Sequence, residues 1–286
     1  MSIKIENLVH IYNKGLAYET TALDNVSVEI GDGEFVGIIG HTGSGKSTLI
    51  QHINGILKPD SGRIVINGTD ITEKSVKLSE LRKKVGLVFQ YPEYQLFEES
   101  VIKDIAFGPS KLGLSEEEID LRVREAMDLV GLDYDEYGSR SPFDLSGGQK
   151  RRAAIAGVIA MKPEVLILDE PTAGLDPKAH SEMLAMLVRL HEKERCDIIL
   201  VSHNMRDMAE ITDKIIVMDK GKVALTGTPK EVYSQKDKLF EIGLETPPVM
   251  QFMKLLEDRG IKSEGLVMTM DEAEEEILKL LKKKDA

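Results

Sequence analysis

The sequence predicts an α/β protein built around a parallel sheet, and three observations predict it. Val165–Leu168 and Ile198–Ser202 are short apolar runs of the kind found in parallel strands buried on both faces. Segments with helical spacing alternate with them, at Lys46–Gly55 before and Lys178–His191 between. A glycine-rich run, Gly40–Gly45, joins an apolar strand to the first of those helices.

Taken in order, Ile3–Val9, Val26–Ile30, Phe35–Ile39 and Arg63–Ile66 read as strands, with the helix Lys46–Gly55 after the third and a short strand at Val85–Phe89. From about Pro92 to Met161 the spacing becomes helical and no strand stands out, which marks a helical insertion. Ser115 with Glu118 reads as a capping box opening a helix to Val130, and Ser146 caps a helix through Met161, stopped before Pro163. Strand and helix then alternate again through Val165–Leu168, Lys178–His191 and Ile198–Ser202. Ile215–Met218 and Lys222–Leu225 form a hairpin around Asp219-Lys220-Gly221, and Thr228 caps a short helix ending near Ser234. Thr246-Pro247-Pro248 marks a boundary, followed by helices at Val249–Asp258 and Asp271–Lys284. The last of these begins with acids and ends Lys282-Lys283-Lys284, complementing the helix dipole.

At 286 residues the chain is long enough for a large core, and 42% apolar with 30% charged residues is a folded, water-compatible composition. The balance of 37 Lys and Arg against 49 Asp and Glu gives a net charge of −12, which disfavours general nucleic-acid binding. The absence of Trp and the 5% aromatic content argue in the same direction. No apolar run approaches the length of a membrane span, and the N-terminus has no signal-peptide core, so a cytoplasmic location is expected. The single Cys196 reads as a packed hydrophobe, and the histidines show no metal-ligand spacing.

The chemistry concentrates in two runs. Gly40-His41-Thr42-Gly43-Ser44-Gly45-Lys46-Ser47 fits the phosphate-loop pattern G-x-x-x-x-G-K-[ST], which arises by chance about once in 100 chains of this length. Its glycines let backbone N–H groups converge on a phosphate chain, Lys46 adds a point charge, Ser47 offers a hydroxyl to Mg²⁺, and Thr48 continues into a helix whose positive end faces the anion. Val165-Leu166-Ile167-Leu168-Asp169-Glu170 supplies the acids: Asp169 for the metal and Glu170 to polarise a water. A third run, Leu145-Ser146-Gly147-Gly148-Gln149, opens the second capped helix and could present amides to another anion.

Together these residues resemble the ABC ATPase family over about residues 1–235. Gly40–Ser47 corresponds to its Walker A motif, Leu166–Glu170 to Walker B and Leu145–Gln149 to its signature. Gln90 stands at the Q-loop, Ala173–Asp176 at the D-loop, His203 at the switch histidine, and Tyr12 where the family stacks an aromatic ring on adenine. The resemblance implies a P-loop NTPase fold of ABC type with an antiparallel β subdomain, the helical insertion at about 92–162, and a small C-terminal extension at 236–286. It implies ATP and Mg²⁺ as ligands, with Gln90, Glu170 and His203 catalytic, Ser47, Gln90 and Asp169 on the metal, and Tyr12, Gly40–Thr48 and Ser146–Gln149 on the nucleotide. The last group acts in trans across a head-to-tail dimer.

Val88–Phe97, Ile105–Pro109 and Ser141–Asp144 further resemble ATPases of energy-coupling factor (ECF) transporters, which import vitamins and transition-metal ions in prokaryotes. Gln51–Gly55 and the long first loop favour the second ATPase subunit of the heterodimeric module, although Lys150 stands where that subfamily leads one to expect Met. The resemblance implies a second ATPase subunit (the same chain or another), a transmembrane scaffold, a membrane substrate-binding component and no nucleic acid. It implies a place on the cytoplasmic face of the membrane, with Tyr91, Tyr94, Leu96 and Phe97 as a docking edge and the C-terminal extension holding ATPase subunits together. The competing readings are a soluble ABC ATPase acting on nucleic acid or ribosomes and a binding module with a dead site. The first lacks the expected coiled coils or tandem domains, and the second conflicts with intact Lys46, Asp169 and Glu170.

Overall fold

The computed structural model describes residues 1–261, 263 and 265–284. Among these residues ten strands form two sheets. They are β1 (Ile3–Tyr12), β2 (Thr20–Ile30), β3 (Phe35–Ile39), β4 (Ser61–Ile66), β5 (Thr69–Asp70), β6 (Val85–Val88), β7 (Val165–Asp169), β8 (Asp197–Val201), β9 (Lys214–Asp219) and β10 (Lys222–Gly227). The first sheet is antiparallel, in the order β2-β1-β4-β5. The second runs β10-β9-β3-β8-β7-β6, parallel except for the β9–β10 hairpin.

The parallel strands β3, β6, β7 and β8 are buried at every residue, the price in sequence pattern being the continuous apolar run rather than alternation. β1 instead alternates buried and open positions, because only one face of its sheet is covered. Both β1 and β2 run longer than their apolar patterns predict. Asn25 takes φ 53° inside β2, and the β1–β2 register shifts between Ile5 and Leu8 and again between Leu8 and His10. Irregularities of this kind absorb turn-type residues without ending a strand.

Helices α1 (Lys46–Ile53) and α2 (Leu78–Lys84) precede the insertion. The insertion carries α3 (Val101–Ser110), α4 (Glu116–Leu129), α5 (Tyr134–Tyr137) and α6 (Gly147–Ile159), and no strand occurs there. Ser115 caps α4 by accepting from the Glu118 amide, but the Glu118 side chain pairs with Arg122, so only half of the expected capping box forms. The full reciprocal box forms at Ser146–Gln149 and at Thr228–Glu231. Beyond the insertion lie α7 (Pro177–Glu194), α8 (Met205–Ile211), α9 (Pro229–Ser234), α10 (Lys236–Glu241), α11 (Pro248–Glu257) and α12 (Met270–Lys284). α2, α8 and α10 have no counterpart in the sequence reading; each is short and polar enough to pass for loop. The hairpin turn places Lys220 and Gly221 at φ 46° and 77°, the left-handed pair a two-residue turn needs.

Among the described residues the apolar interior falls into three clusters. One joins the insertion to one face of the parallel sheet through residues such as Ile105, Met127, Ile155 and Leu187. The second lies between the other face, α1 and the antiparallel sheet, around Leu8, Ile50 and Ile199. The third is small and local to the C-terminal segment, formed by Val249, Met253, Val267 and Ala273. The side chains of Lys282, Lys283 and Lys284 lie outside the described residues, so their match to the helix dipole is not followed further.

Candidate nucleotide site

Parallel pairing carries the functional residues to one edge. The ends of β3, β8, β7 and β6 lie side by side, with Ile38 opposite Val201, Leu200 opposite Leu168 and Leu168 opposite Val88. Each strand is followed at its carboxyl end by a predicted site residue: Gly40 after β3, His203 after β8, Glu170 after β7 and Gln90 after β6. Open α/β sheets place their ligands at that edge.

The loop between β3 and α1 needs its glycines. Gly40 has φ 155°, and a Cβ there would sit 2.4 Å from the Met218 carbonyl oxygen and 2.6 Å from Ser44 Oγ. Gly45 has φ 102°, and a Cβ there would sit 2.6 Å from the Ala22 carbonyl oxygen. Gly45 is also the N-cap of α1 and provides no side-chain cap, so the first amides of the helix point into the loop without an internal acceptor. Ser44 is fully buried, and its hydroxyl has no protein partner. Lys46 Nζ donates to the carbonyl oxygens of Gly40 at 2.7 Å and His41 at 3.1 Å, holding the ammonium across the loop mouth. Burial pushes the Lys46 pKa down, opposed by the charges of Glu170 and Asp169. The group needs an anionic partner to repay its desolvation.

The carboxylates sit beside it. Ser47 Oγ donates to Asp169 Oδ2 at 2.9 Å, which joins the two motifs across 122 residues of chain. Burial raises the pKa of both Asp169 and Glu170. Glu170 has φ 51°, an uncommon backbone state for a non-glycine residue, held by its amide bond to the Val201 carbonyl at 2.9 Å. Its Oε1 lies 2.8 Å from His203 Nδ1, and that hydrogen bond lowers its pKa against the effect of burial. His203 itself is largely exposed.

Tyr12 ends β1 with its hydroxyl 3.4 Å from Thr48 Oγ1 and its ring edge-on to His10, so it stands over the start of α1. His41 bonds Asp219 through Nε2 and the Thr42 carbonyl through Nδ1, both at 2.8 Å; these bonds raise its pKa and turn its ring toward the β9–β10 hairpin. Gln90 is exposed two residues beyond β6 and, among the described residues, makes no hydrogen bond to Ser47 or Asp169. Ser146, Gly147, Gly148 and Gln149 form the start of α6, the first two exposed and the last two half-buried, and among the described residues no hydrogen bond joins them to Gly40–Thr48. The structure thus brings together Tyr12, the phosphate loop, Asp169, Glu170 and His203, and leaves the signature residues apart.

A model of the ABC transporter family matches residues 23–173. Two curated relatives named energy-coupling factor transporter ATP-binding protein EcfA2 are each 58% identical. The one from Clostridium tetani aligns over 284 residues, 99% of each chain, and the one from Clostridioides difficile over 99% of this chain and 98% of its own. The chain belongs to the ABC transporter ATPase family. Within it, the chain is an ATPase of the energy-coupling factor type. Among solved structures, CbiO1 from Clostridium perfringens, described as part of the ABC transporter complex cbiONQ, is 40% identical. It superposes with a TM-score of 0.75 over 88% of this chain and 98% of its own. The dimeric ABC cassette MJ0796 bound to ADP and Pi gives a TM-score of 0.71 at 29% identity, over 79% of this chain and 98% of its own.

Sequence reasoning missed Arg151 and Glu93. Arg151 is 4% exposed yet lies one turn into a helix whose start faces solvent. The signal available was the Arg151-Arg152 pair directly before the apolar run Ala153–Ile159 of the same helix. Leu96 is corrected: it is 7% exposed and belongs to the main core, whereas Tyr91, Tyr94 and Phe97 remain open, Tyr94 at 85%.

Proposed function

We propose that this ATPase is the motor subunit of an ECF-type importer, hydrolysing MgATP to drive vitamin or transition-metal uptake through a membrane scaffold and a substrate-binding membrane component. The observation that carries this reading is the convergence of Lys46, Ser47, Asp169, Glu170 and His203 at one sheet edge, beside an exposed aromatic segment at Tyr91–Phe97.

In this reading the loop amides of Gly40–Gly45 and the Lys46 ammonium bind the phosphate chain, and Tyr12 stacks on the adenine. The donor set at Ser47 and Asp169, a hydroxyl and a carboxylate 2.9 Å apart, suits Mg²⁺, which takes hard oxygen ligands and commonly uses one or two carboxylates with substrate phosphates. Gln90, at the neighbouring strand end, would complete that set, and the ion would supply charge neutralisation on the phosphate oxygens. Glu170, held by His203, orients a water and takes its proton as the oxygen attacks the γ-phosphorus; the leaving oxygen departs with the ADP. The raised pKa of Glu170 makes it a better proton acceptor than a solvent-exposed carboxylate. His203 contacts the γ-phosphate.

Ser146, Gly147, Gly148 and Gln149 close on the nucleotide of a second ATPase subunit, which explains their separation from the chain's own phosphate loop. We divide the chain into the ATPase domain, 1–235, and a C-terminal subunit-contact extension, 236–286. No helix of the described residues is long and apolar enough to cross a membrane, and we place the chain on the cytoplasmic face through its scaffold. Tyr91, Tyr94 and Phe97 form the docking edge, since interfaces favour aromatic anchors. Phe97 is braced edge-on by Phe107 at 5.0 Å, which keeps that surface rigid.

The test is co-expression with a candidate scaffold and partner ATPase, followed by purification from solubilised membranes. A complex that hydrolyses MgATP, and loses hydrolysis but not assembly on Glu170→Gln, is expected. A chain that hydrolyses MgATP yet never co-purifies with any scaffold, and instead shifts DNA or RNA, refutes the reading.

A further inference from the structure

Arg151 does not touch the phosphate loop, yet its guanidinium uses its whole fork on two other parts of the site. Nε donates to Glu93 Oε2 at 3.1 Å and Nη2 to Glu93 Oε1 at 2.8 Å, a two-pronged carboxylate pair. Nη1 donates to the Pro171 carbonyl at 3.1 Å and also to that of Ala173. Its Cζ lies 5.8 Å from the ring centroid of Tyr91. Three segments therefore meet on one buried cation: the turn just after Gln90, the turn just after Glu170, and α6, whose first residues are the signature.

The chemistry favours a rigid joint. A planar guanidinium has five donors in fixed directions, so it can hold a carboxylate and two carbonyls at once, which an ammonium on a flexible stem cannot. The pair is mostly shielded from water, with side chains 5% and 15% exposed. Burial pushes Glu93 up, and the bonds to Arg151 more than reverse this, leaving its carboxyl below the ordinary value. Separating such a pair strands a charge in a poorly solvated place, so the three segments resist moving independently. Tyr91 enters the turn at φ 56°, a strained state that needs surrounding support.

We propose that Arg151 is a positioning residue that locks the Gln90–Gln95 turn, the Pro171–Ala173 turn and the start of α6 into one body, so that nucleotide sensing and signature movement occur as a single step. It acts through its neighbours and contacts no reacting atom. The inference rests on the motor reading for its purpose, but its test needs only the full chain and MgATP.

Spin labels at Gln95→Cys and Lys150→Cys report the distance between the turn and the signature helix. The native Cys196 is buried, with its thiol pushed up to about 12, and stays unlabelled. In a Glu170→Gln background the wild-type pair gives one narrow distance with and without MgATP. Arg151→Gln and Glu93→Gln each broaden it and make it nucleotide-dependent, while MgATP affinity stays within about twofold. Arg151→Lys, which can reach Glu93 or the carbonyls but not all of them, falls between. With Glu170 restored, kcat falls about tenfold in both variants and KM changes by less than about twofold. A narrow, unchanged distance in both variants overturns the proposal. So does loss of MgATP binding in parallel with the broadening, which marks a merely structural role. Either result leaves the motor reading standing, because scaffold assembly and uptake are measured separately.

Discussion

Two helix starts in this chain can face an anion, and they are built differently. α1 begins at Gly45, which has no side chain to offer its amides, inside a loop where Lys46 crosses the mouth. α6 begins at Ser146, whose hydroxyl accepts from the Gln149 amide at 3.3 Å while the Gln149 side chain accepts from the Ser146 amide at 2.9 Å. The first leaves its donors for a ligand and is complete within one chain. The second ties up only the Ser146 and Gln149 amides in its own cap, leaves the Gly147 and Gly148 amides without an internal acceptor, and stands apart from this chain's phosphate loop. The difference leads us to expect that triphosphate binding is a property of the subunit, and closure a property of the pair.

The largest test of this comparison removes the chemistry and leaves both helix starts intact. Glu170→Gln lowers kcat by about 10²–10⁴-fold, the usual contribution of a positioned base, with MgATP still bound; single-turnover assays check it. Turnover within about threefold of wild type shifts the water-positioning role elsewhere.

Lys46→Ala follows. Losing a half-buried charge at the phosphates weakens MgATP binding about 100-fold or more, equivalent to about 3 kcal/mol, read by calorimetry on the subunit alone. Ser146→Ala leaves that affinity unchanged and weakens ATP-dependent pairing of Glu170→Gln subunits about tenfold, read by sedimentation. Equal effects of the two substitutions on the isolated subunit would erase the distinction between the helix starts.

A pH series sharpens the same site. Glu170 carries a pKa above its ordinary 4.5, raised by burial and lowered in part by His203. The deprotonated form accepts the proton, so kcat falls as pH drops through that raised value, earlier than for an exposed carboxylate. His203→Ala removes the lowering hydrogen bond and moves the acid limb to higher pH, beyond its effect on the plateau. An acid limb that stays fixed shows that another group controls it.

The smallest effect concerns the docking edge. Tyr94→Ala with Phe97→Ala costs about 2 kcal/mol of scaffold association, seen as faster loss during purification, with MgATP affinity of the subunit unchanged. Leu96 is left in place because it holds the core.

Much of this site was legible as sequence because phosphate chemistry demands particular residues at short spacing. A loop that wraps a phosphate needs glycine where a Cβ would strike Met218 or Ala22, and a helix start needs a capping oxygen at Ser146. Parallel strands buried on both faces must be apolar throughout, so β7 and β8 announced themselves. Local rules of this kind act within a few residues and leave a pattern in the chain. The first half of β2, Thr20–Asn25, and the short α8 escaped because tertiary packing, rather than their own apolar pattern, sustains them.

What only the tertiary structure decided is which distant groups meet. Sheet order β3-β8-β7-β6 differs from chain order, and it is this crossing that sets His203 against Glu170 and Ser47 against Asp169. It buries Leu96 while leaving Tyr94 open, although both lie in one short segment. It also gathers Glu93, Pro171 and Ala173 on Arg151, from positions 58, 20 and 22 residues away. No spacing encodes such a meeting: the free energy of pairing a buried guanidinium comes from acceptors that the fold alone delivers to it.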